Sequence, residues 1–144
     1  MNKYLAWLPA LMALAAVVYK PVTEARKSTP ESKDISFAIY KSSNYSSNIY
    51  DNTSAQVEIT VEKVNSKGKH SVIWQKVLDA KSLNYYPSFE NALKQNITIH
   101  NLNGGKEYLI VNYTLTYNSK GSELRMHEGV IVKDQNSAKV DISI

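Results

Sequence analysis

The stretch that decides the fold is "NLNGGKEYLIVNYTLTY", residues 101–117, in which two glycines precede a long run of alternating side chains. From Tyr108 onward, apolar and polar residues alternate with the period of a β-strand that buries one face. The apolar row consists of Leu109, Val111, Tyr113, Leu115 and Tyr117. Gly104 and Gly105 allow backbone conformations that other residues avoid, so the stretch predicts a tight corner followed by a strand.

The same period recurs along most of the chain. Candidate strands cover residues 35–39, 57–62, 70–77, 97–99, 108–117, 124–132 and 140–144. The turn sequence "NSKG" occurs twice, at 65–68 and 118–121, each time between two of these strands. Because each strand has one apolar face, two sheets must cover each other. We therefore expect an all-β fold, a seven-stranded antiparallel β-sandwich over residues 35–144.

The first 25 residues have the pattern of an export signal. Lys3 precedes an apolar run over residues 4–19, and small residues follow it. We expect a signal peptide over 1–25, cleaved after Ala25, and then a polar, flexible leader over 26–34. An uncleaved membrane anchor is the alternative, and it would be the domain's link to a membrane. The chain has no cysteine and hence no disulfide. We expect a bacterial exported protein, secreted or periplasmic.

Composition and motifs argue against several functions. The net charge is +4, and the lysines are scattered, without the basic stripe of a nucleic-acid-binding protein. The three histidines, His70, His100 and His127, lack the spacing of metal ligands, and no cysteine can supplement them. No hydrolase, zinc-protease or phosphate-loop motif occurs. The expectation is a non-enzymatic protein with no metal, no cofactor and no nucleic-acid partner.

Two resemblances refine the expected fold. The segment "ITIHNLNGGKEYLIVNY", residues 97–113, resembles the E–F corner of fibronectin type III and related immunoglobulin-like modules. In that family a leucine, a glycine turn and a tyrosine form the tyrosine corner, and Leu102, Gly105 and Tyr108 occupy the matching places. The resemblance implies that Tyr108 ties its hydroxyl to nearby backbone and that Trp74 is the core tryptophan.

The tail points to a second family. The segment "EGVIVKDQNSAKVDISI", residues 128–144, resembles the end of transthyretin-like modules of the carboxypeptidase-regulatory type. Both families are seven-stranded sandwiches, so the topology stays open between them. Neither resemblance implies a catalytic residue.

Tyrosine is unusually frequent, with ten residues against two tryptophans and two phenylalanines. Five aromatic residues fall in expected loops and are candidates for binding a partner: Tyr45, Tyr50, Tyr85, Tyr86 and Phe89. Loop tyrosines offer large, stiff contact surfaces with a polar tip, although they also pack at the ends of such folds. Two hypotheses follow: an exported module that binds a protein partner or a cell-surface component, or a carbohydrate-binding module. The irregular stretch 78–95 is the expected functional edge, unless it hides a further strand.

Overall fold

The structure, a computed structural model, describes residues 29–144. The predicted signal peptide, residues 1–25, lies outside this range. The seven strands are β1 Pro30–Tyr40, β2 Thr53–Val64, β3 His70–Ser82, β4 Leu93–Asn103, β5 Tyr108–Ser119, β6 Ser122–Val132 and β7 Ser137–Ser143. Three single turns of 3₁₀ helix lie in the connections, at Asn48–Tyr50, Leu83–Tyr85 and Phe89–Asn91. The all-β prediction is therefore confirmed.

The strands form two sheets. One has four strands in the order β3-β2-β5-β6, and its neighbours are all antiparallel. The other has three strands in the order β4-β1-β7. Within it, β1 and β7 are parallel, so the expectation of purely antiparallel sheets is wrong for this pair. The chain crosses to the second sheet after β6 at the end where β1 begins, and β7 therefore runs in the same direction as β1.

Both "NSKG" segments form the expected hairpin turns. Between β2 and β3, Gly68 has a φ of 73°, and the side-chain oxygen of Asn65 accepts hydrogen bonds from the backbone N–H groups of Lys67 and Lys69. Between β5 and β6, Lys120 and Gly121 both have positive φ, at 49° and 83°. Two consecutive left-handed residues suit the twist of a two-residue hairpin turn, which explains how this turn sets the β5–β6 register.

The inner faces of both sheets contribute to one hydrophobic core. The alternation read from the sequence gives fully buried rows in β2 and β5, because the three-stranded sheet covers their apolar sides. Trp74 of β3 is partly buried and stacks on Phe37 of β1, with ring centroids 5.6 Å apart. This contact joins an edge strand of one sheet to the central strand of the other.

The expected leader, residues 26–34, is partly a strand. Residues 26–28 are outside the described range, but β1 begins at Pro30 and pairs with β4 from there. Lys33 is buried, and its ammonium donates hydrogen bonds to the backbone carbonyls of Lys133 and Gln135, at 2.7 and 2.8 Å. The polar sequence suggested a leader, whereas the long-range bonds of its backbone and of Lys33 order it as strand.

The corner between β4 and β5 forms a turn. Leu102 is buried in the core, and Gly105 has a φ of 75°. The backbone N–H groups of Lys106 and Glu107 both donate to the carbonyl of Asn103. The tyrosine hydroxyls with a hydrogen-bond partner in residues 29–144 are those of Tyr45, Tyr86 and Tyr113. The hydroxyl bond that the resemblance implied for Tyr108 is therefore not formed.

Candidate functional site

The first candidate surface is one of the two open edges of the four-stranded sheet, the edge formed by β6. β6 pairs with β5 along one side, and no strand of residues 29–144 pairs with its other side. All of its residues from Ser122 to Ile131 are exposed, and only Val132 is buried. An edge strand of 11 residues presents a row of free backbone donors and acceptors, which a further strand can pair with.

The register with β5 shows which side chains of β6 face inward. Leu124, Met126, Glu128 and Val130 lie opposite Tyr117, Leu115, Tyr113 and Val111, and we name these four residues the β6 row. Directly paired residues point to the same face of a sheet, so the β6 row lies on the core side. Yet Leu124 is 61% exposed, Met126 45% and Val130 38%.

The β6 row is exposed because the three-stranded sheet does not extend over it. That sheet has one strand fewer, and β7 is its last strand. The core therefore ends beneath β5, whose inner residues Val111 and Leu115 are buried, while their partners on β6 are not. A largely apolar row beside an unpaired strand edge is a form of surface that proteins use for binding.

One carboxylate interrupts this apolar row. The hydroxyl of Tyr113 donates a hydrogen bond to Glu128 Oε2. Burial raises the pKa of Tyr113 well above its usual range, and the hydrogen bond to Glu128 raises this pKa further. The ion pairs of residues 29–144 involve the carboxylates of Glu62, Glu107, Glu123 and Asp141. Glu128 thus has a phenol donor on one oxygen and no cationic partner in that part of the chain.

The outer face of β6 is mostly polar. Arg125 and Glu123 form an exposed ion pair at 2.7 Å, and His127 Nδ1 lies 3.0 Å from the hydroxyl of Thr114. Ile131 is the exposed apolar residue on this side. The two faces of β6 therefore differ, and the more apolar face is the inner one.

The aromatic candidates from the sequence do not form one surface. Tyr86 is only 1% exposed, and its hydroxyl donates to the carbonyl of Ala55, so its assignment to a partner-binding surface is wrong. Tyr45 and Tyr50 are partly buried against the core, with their rings edge to face at 4.9 Å. The hydroxyl of Tyr45 donates to the carbonyl of Ile144 at 2.6 Å. These three tyrosines chiefly close one end of the core.

Tyr85 and Phe89 are the accessible members of the set, at 79% and 58% exposed. Phe89 packs edge to face on Tyr40, with centroids 4.9 Å apart. The stretch 78–95 that contains them is only partly a loop, because β3 continues to Ser82 and β4 begins at Leu93. Between these strands, Phe89 begins the 3₁₀ turn Phe89–Asn91.

A cleft of 480 Å³ lies at the opposite end of the sheets. The connections β2–β3, β4–β5 and β6–β7 line it, with residues that include Asn65, Gly105, Tyr108 and Lys133. The lining carries charges of both signs.

Over residues 29–144 no group of three His, Cys, Asp or Glu side chains is placed to hold a metal ion. The same range contains no helix of the length and hydrophobicity that a membrane span requires.

The sequence pattern predicted the position of β6 but not the exposure of its inner side chains. The alternation of Leu124, Met126 and Val130 resembles that of a covered strand, and pattern alone cannot show that the opposite sheet stops short. Two signals were available. Val130 and Ile131 put bulky apolar residues on both faces, and Glu128 places a charge within the apolar row.

Comparisons with protein-family models, with characterised proteins and with solved structures found no match to this chain.

Proposed function

We propose that this chain is an exported, non-enzymatic β-sandwich module that binds a protein partner through the open edge of β6. The single observation that carries the proposal is the exposure of the β6 row beside an unpaired strand edge. In this mode of recognition, an extended segment of the partner adds a strand to the sheet. Backbone hydrogen bonds supply affinity, and the alternate side chains supply specificity.

The proposed fold family is the immunoglobulin-like one. Two sheets with a shared core support a seven-stranded sandwich. The corner at Leu102 and Gly105 connects β4 of one sheet to β5 of the other, as the E–F corner does in immunoglobulin-like modules. This favours the fibronectin-type resemblance over the transthyretin-like one. The parallel strand β7 departs from the family pattern.

The proposed location is secreted or periplasmic. The charged start and the apolar run of residues 4–19 support it. The absence of cysteine is compatible with an oxidising compartment, since the core described above needs no disulfide.

A carbohydrate-binding module is the alternative, and the exposure of Tyr85 and Phe89 supports it. Aromatic rings of this kind stack on sugar faces. However, the burial of Tyr86 and the packing of Tyr45 and Tyr50 reduce the expected platform from five aromatic residues to two. A protein partner at β6 therefore has the stronger support.

Site-specific photo-crosslinking in intact cells tests the proposal. A photoreactive residue replaces Met126 on β6 or, as a matched control, the exposed Val77 on β3 at the other edge of the same sheet. The expected result is a protein adduct from position 126 that is absent from position 77 and is lost when Leu124→Lys is added. Equal adducts at both positions, or none at 126, would refute it. Glycan-array binding that is lost on Tyr85→Ala with Phe89→Ala would favour the alternative.

A further inference from the structure

We infer that the strand recognised by β6 carries a lysine or arginine opposite Glu128, with apolar residues two positions to either side. This inference rests on the proposed function and specifies the chemistry of its partner. The occupant is a segment of a different protein, with the inward-facing pattern apolar–basic–apolar.

The first step is the geometry of an added strand. A strand paired with the free edge of β6 continues the four-stranded sheet, and its inward residues lie beside the β6 row. Directly opposed side chains have Cβ atoms about 4.5–5.5 Å apart. The residue opposite Glu128 therefore touches its carboxylate, and the residues two positions away lie beside Met126 and Val130.

The second step is the hydrogen-bond capacity of Glu128. An ionised carboxylate accepts bonds at both oxygens, and the hydroxyl of Tyr113 occupies Oε2. A docked strand would remove water from the remaining oxygen, and an unpaired buried charge is strongly unfavourable. A lysine or arginine on the incoming strand supplies a charged donor at that point, whereas an apolar or acidic residue leaves the oxygen without a partner.

The third step excludes the β6 strand of a second copy of this chain on the same grounds. In an antiparallel pairing of β6 with β6 that keeps both inner rows on one side of the sheet, Glu128 faces an inner residue of the second strand. The inner residues are Ser122, Leu124, Met126, Glu128, Val130 and Val132, and none of them is basic. Self-pairing of β6 would bury Glu128 without a cation in every such register, so charge disfavours a dimer formed by two β6 strands.

A displayed library of random 11-residue peptides tests the inference. Peptides are selected on the purified protein, on Glu128→Gln and on Glu123→Gln. Glutamine at 128 keeps an acceptor for the Tyr113 hydroxyl but removes the charge. Glu123 lies on the outer face of the same strand, so Glu123→Gln is the matched control. Peptides whose binding is abolished by Met126→Lys are scored as β6 ligands.

The expected result is enrichment of lysine or arginine at one position, with apolar residues two positions on either side. Replacing that basic residue by norleucine should weaken binding to the wild type and to Glu123→Gln about tenfold, the effect of one charged hydrogen bond. The same replacement should change binding to Glu128→Gln by less than about twofold.

Three outcomes would overturn the inference. Ligands of β6 with no basic preference, or with one that Glu128→Gln leaves intact, would refute it and leave the proposed function standing. No ligand that Met126→Lys abolishes would refute both. A dimer in analytical ultracentrifugation that Met126→Lys dissociates would place a second copy on the β6 row and refute the choice of occupant.

Discussion

The hydroxyl of Tyr86 donates a hydrogen bond of 2.8 Å to the backbone carbonyl of Ala55 inside the core. This bond ties the connection between β3 and β4 to the beginning of β2. Tyr108, at the corner between β4 and β5, makes no such bond to any residue in the range 29–144. Tyr86, which the sequence placed on a binding surface, thus anchors the β3–β4 connection to the core through its hydroxyl.

Replacing Tyr86 by phenylalanine should destabilise the protein by about 1–3 kcal/mol, because the buried carbonyl of Ala55 loses its donor. Tyr108→Phe is the matched control and should change stability by less than about 0.5 kcal/mol. Urea denaturation of both variants measures the difference. Equal losses in the two variants would contradict the assignment of the anchoring role to Tyr86.

Stability should fall steeply in alkaline solution. Burial raises the pKa of Tyr86 to about 12, and burial also raises the pKa of Tyr117. The hydroxyl of a tyrosine in the unfolded chain ionises at about pH 10. Below that pH both states keep the phenolic proton and stability is fully present. Above it the unfolded state alone loses the proton, so stability is lost between about pH 10 and 12.

Thermal unfolding of the wild type and Tyr86→Phe from pH 8 to 11.5 measures this effect. The difference in stability between the two proteins should shrink as the pH rises above about 10, because the variant lacks one of the phenols whose pKa is raised. A constant difference over the whole range would show that Tyr86 does not contribute to the alkaline loss.

The two neighbouring glycines of the corner should respond differently to alanine. Gly105 has a φ of 75°, so Gly105→Ala should cost about 1 kcal/mol through backbone strain. A Cβ on Gly104 would overlap the carboxylate of Glu31, but this flexible side chain can turn away. Gly104→Ala should therefore be nearly neutral. The denaturant midpoints of the two variants test this prediction. A lower midpoint for Gly104→Ala than for Gly105→Ala would contradict the corner geometry.

Reversing the charge of Lys33 should strongly destabilise the fold. In Lys33→Glu, a buried carboxylate would face the carbonyls of Lys133 and Gln135, which offer it no proton. The expected cost is about 3–5 kcal/mol, as for an uncompensated buried charge. The control is Lys139→Glu, at an exposed side chain of β7, and its effect on stability should stay within about 1 kcal/mol. Similar unfolding midpoints for Lys33→Glu and Lys139→Glu would show that Lys33 is not buried in solution.

Local alternation predicted the strands whose inner face is covered. β2 and β5 have clean apolar rows because the opposite sheet lies over them, and the turn glycines Gly68 and Gly121 were recognisable from sequence. These features depend on a few neighbouring residues, which is the range that a sequence pattern reports.

The features that the sequence did not reveal depend on distant contacts. Tyr86 is buried because a 3₁₀ turn directs it under β2, and nothing in its own neighbourhood distinguishes it from exposed Tyr85. The start of β1 is ordered by β4 and by the bonds of Lys33. The open β6 row exists because the opposite sheet has one strand fewer, which is a property of topology.

The parallel pairing of β7 with β1 has a consequence for synthesis on the ribosome. Lys33 contacts Lys133 across 100 residues, and β7 is made later still. At a synthesis rate of about 5–20 residues per second, about 5–20 s pass between the synthesis of β1 and that of β7. During this interval one edge of β1 has no partner strand. A charge on the inward side of a waiting strand disfavours pairing with other nascent chains. We therefore expect Lys33 to disfavour pairing of this open edge with other chains before β7 is in place, in addition to its hydrogen bonds in the folded protein.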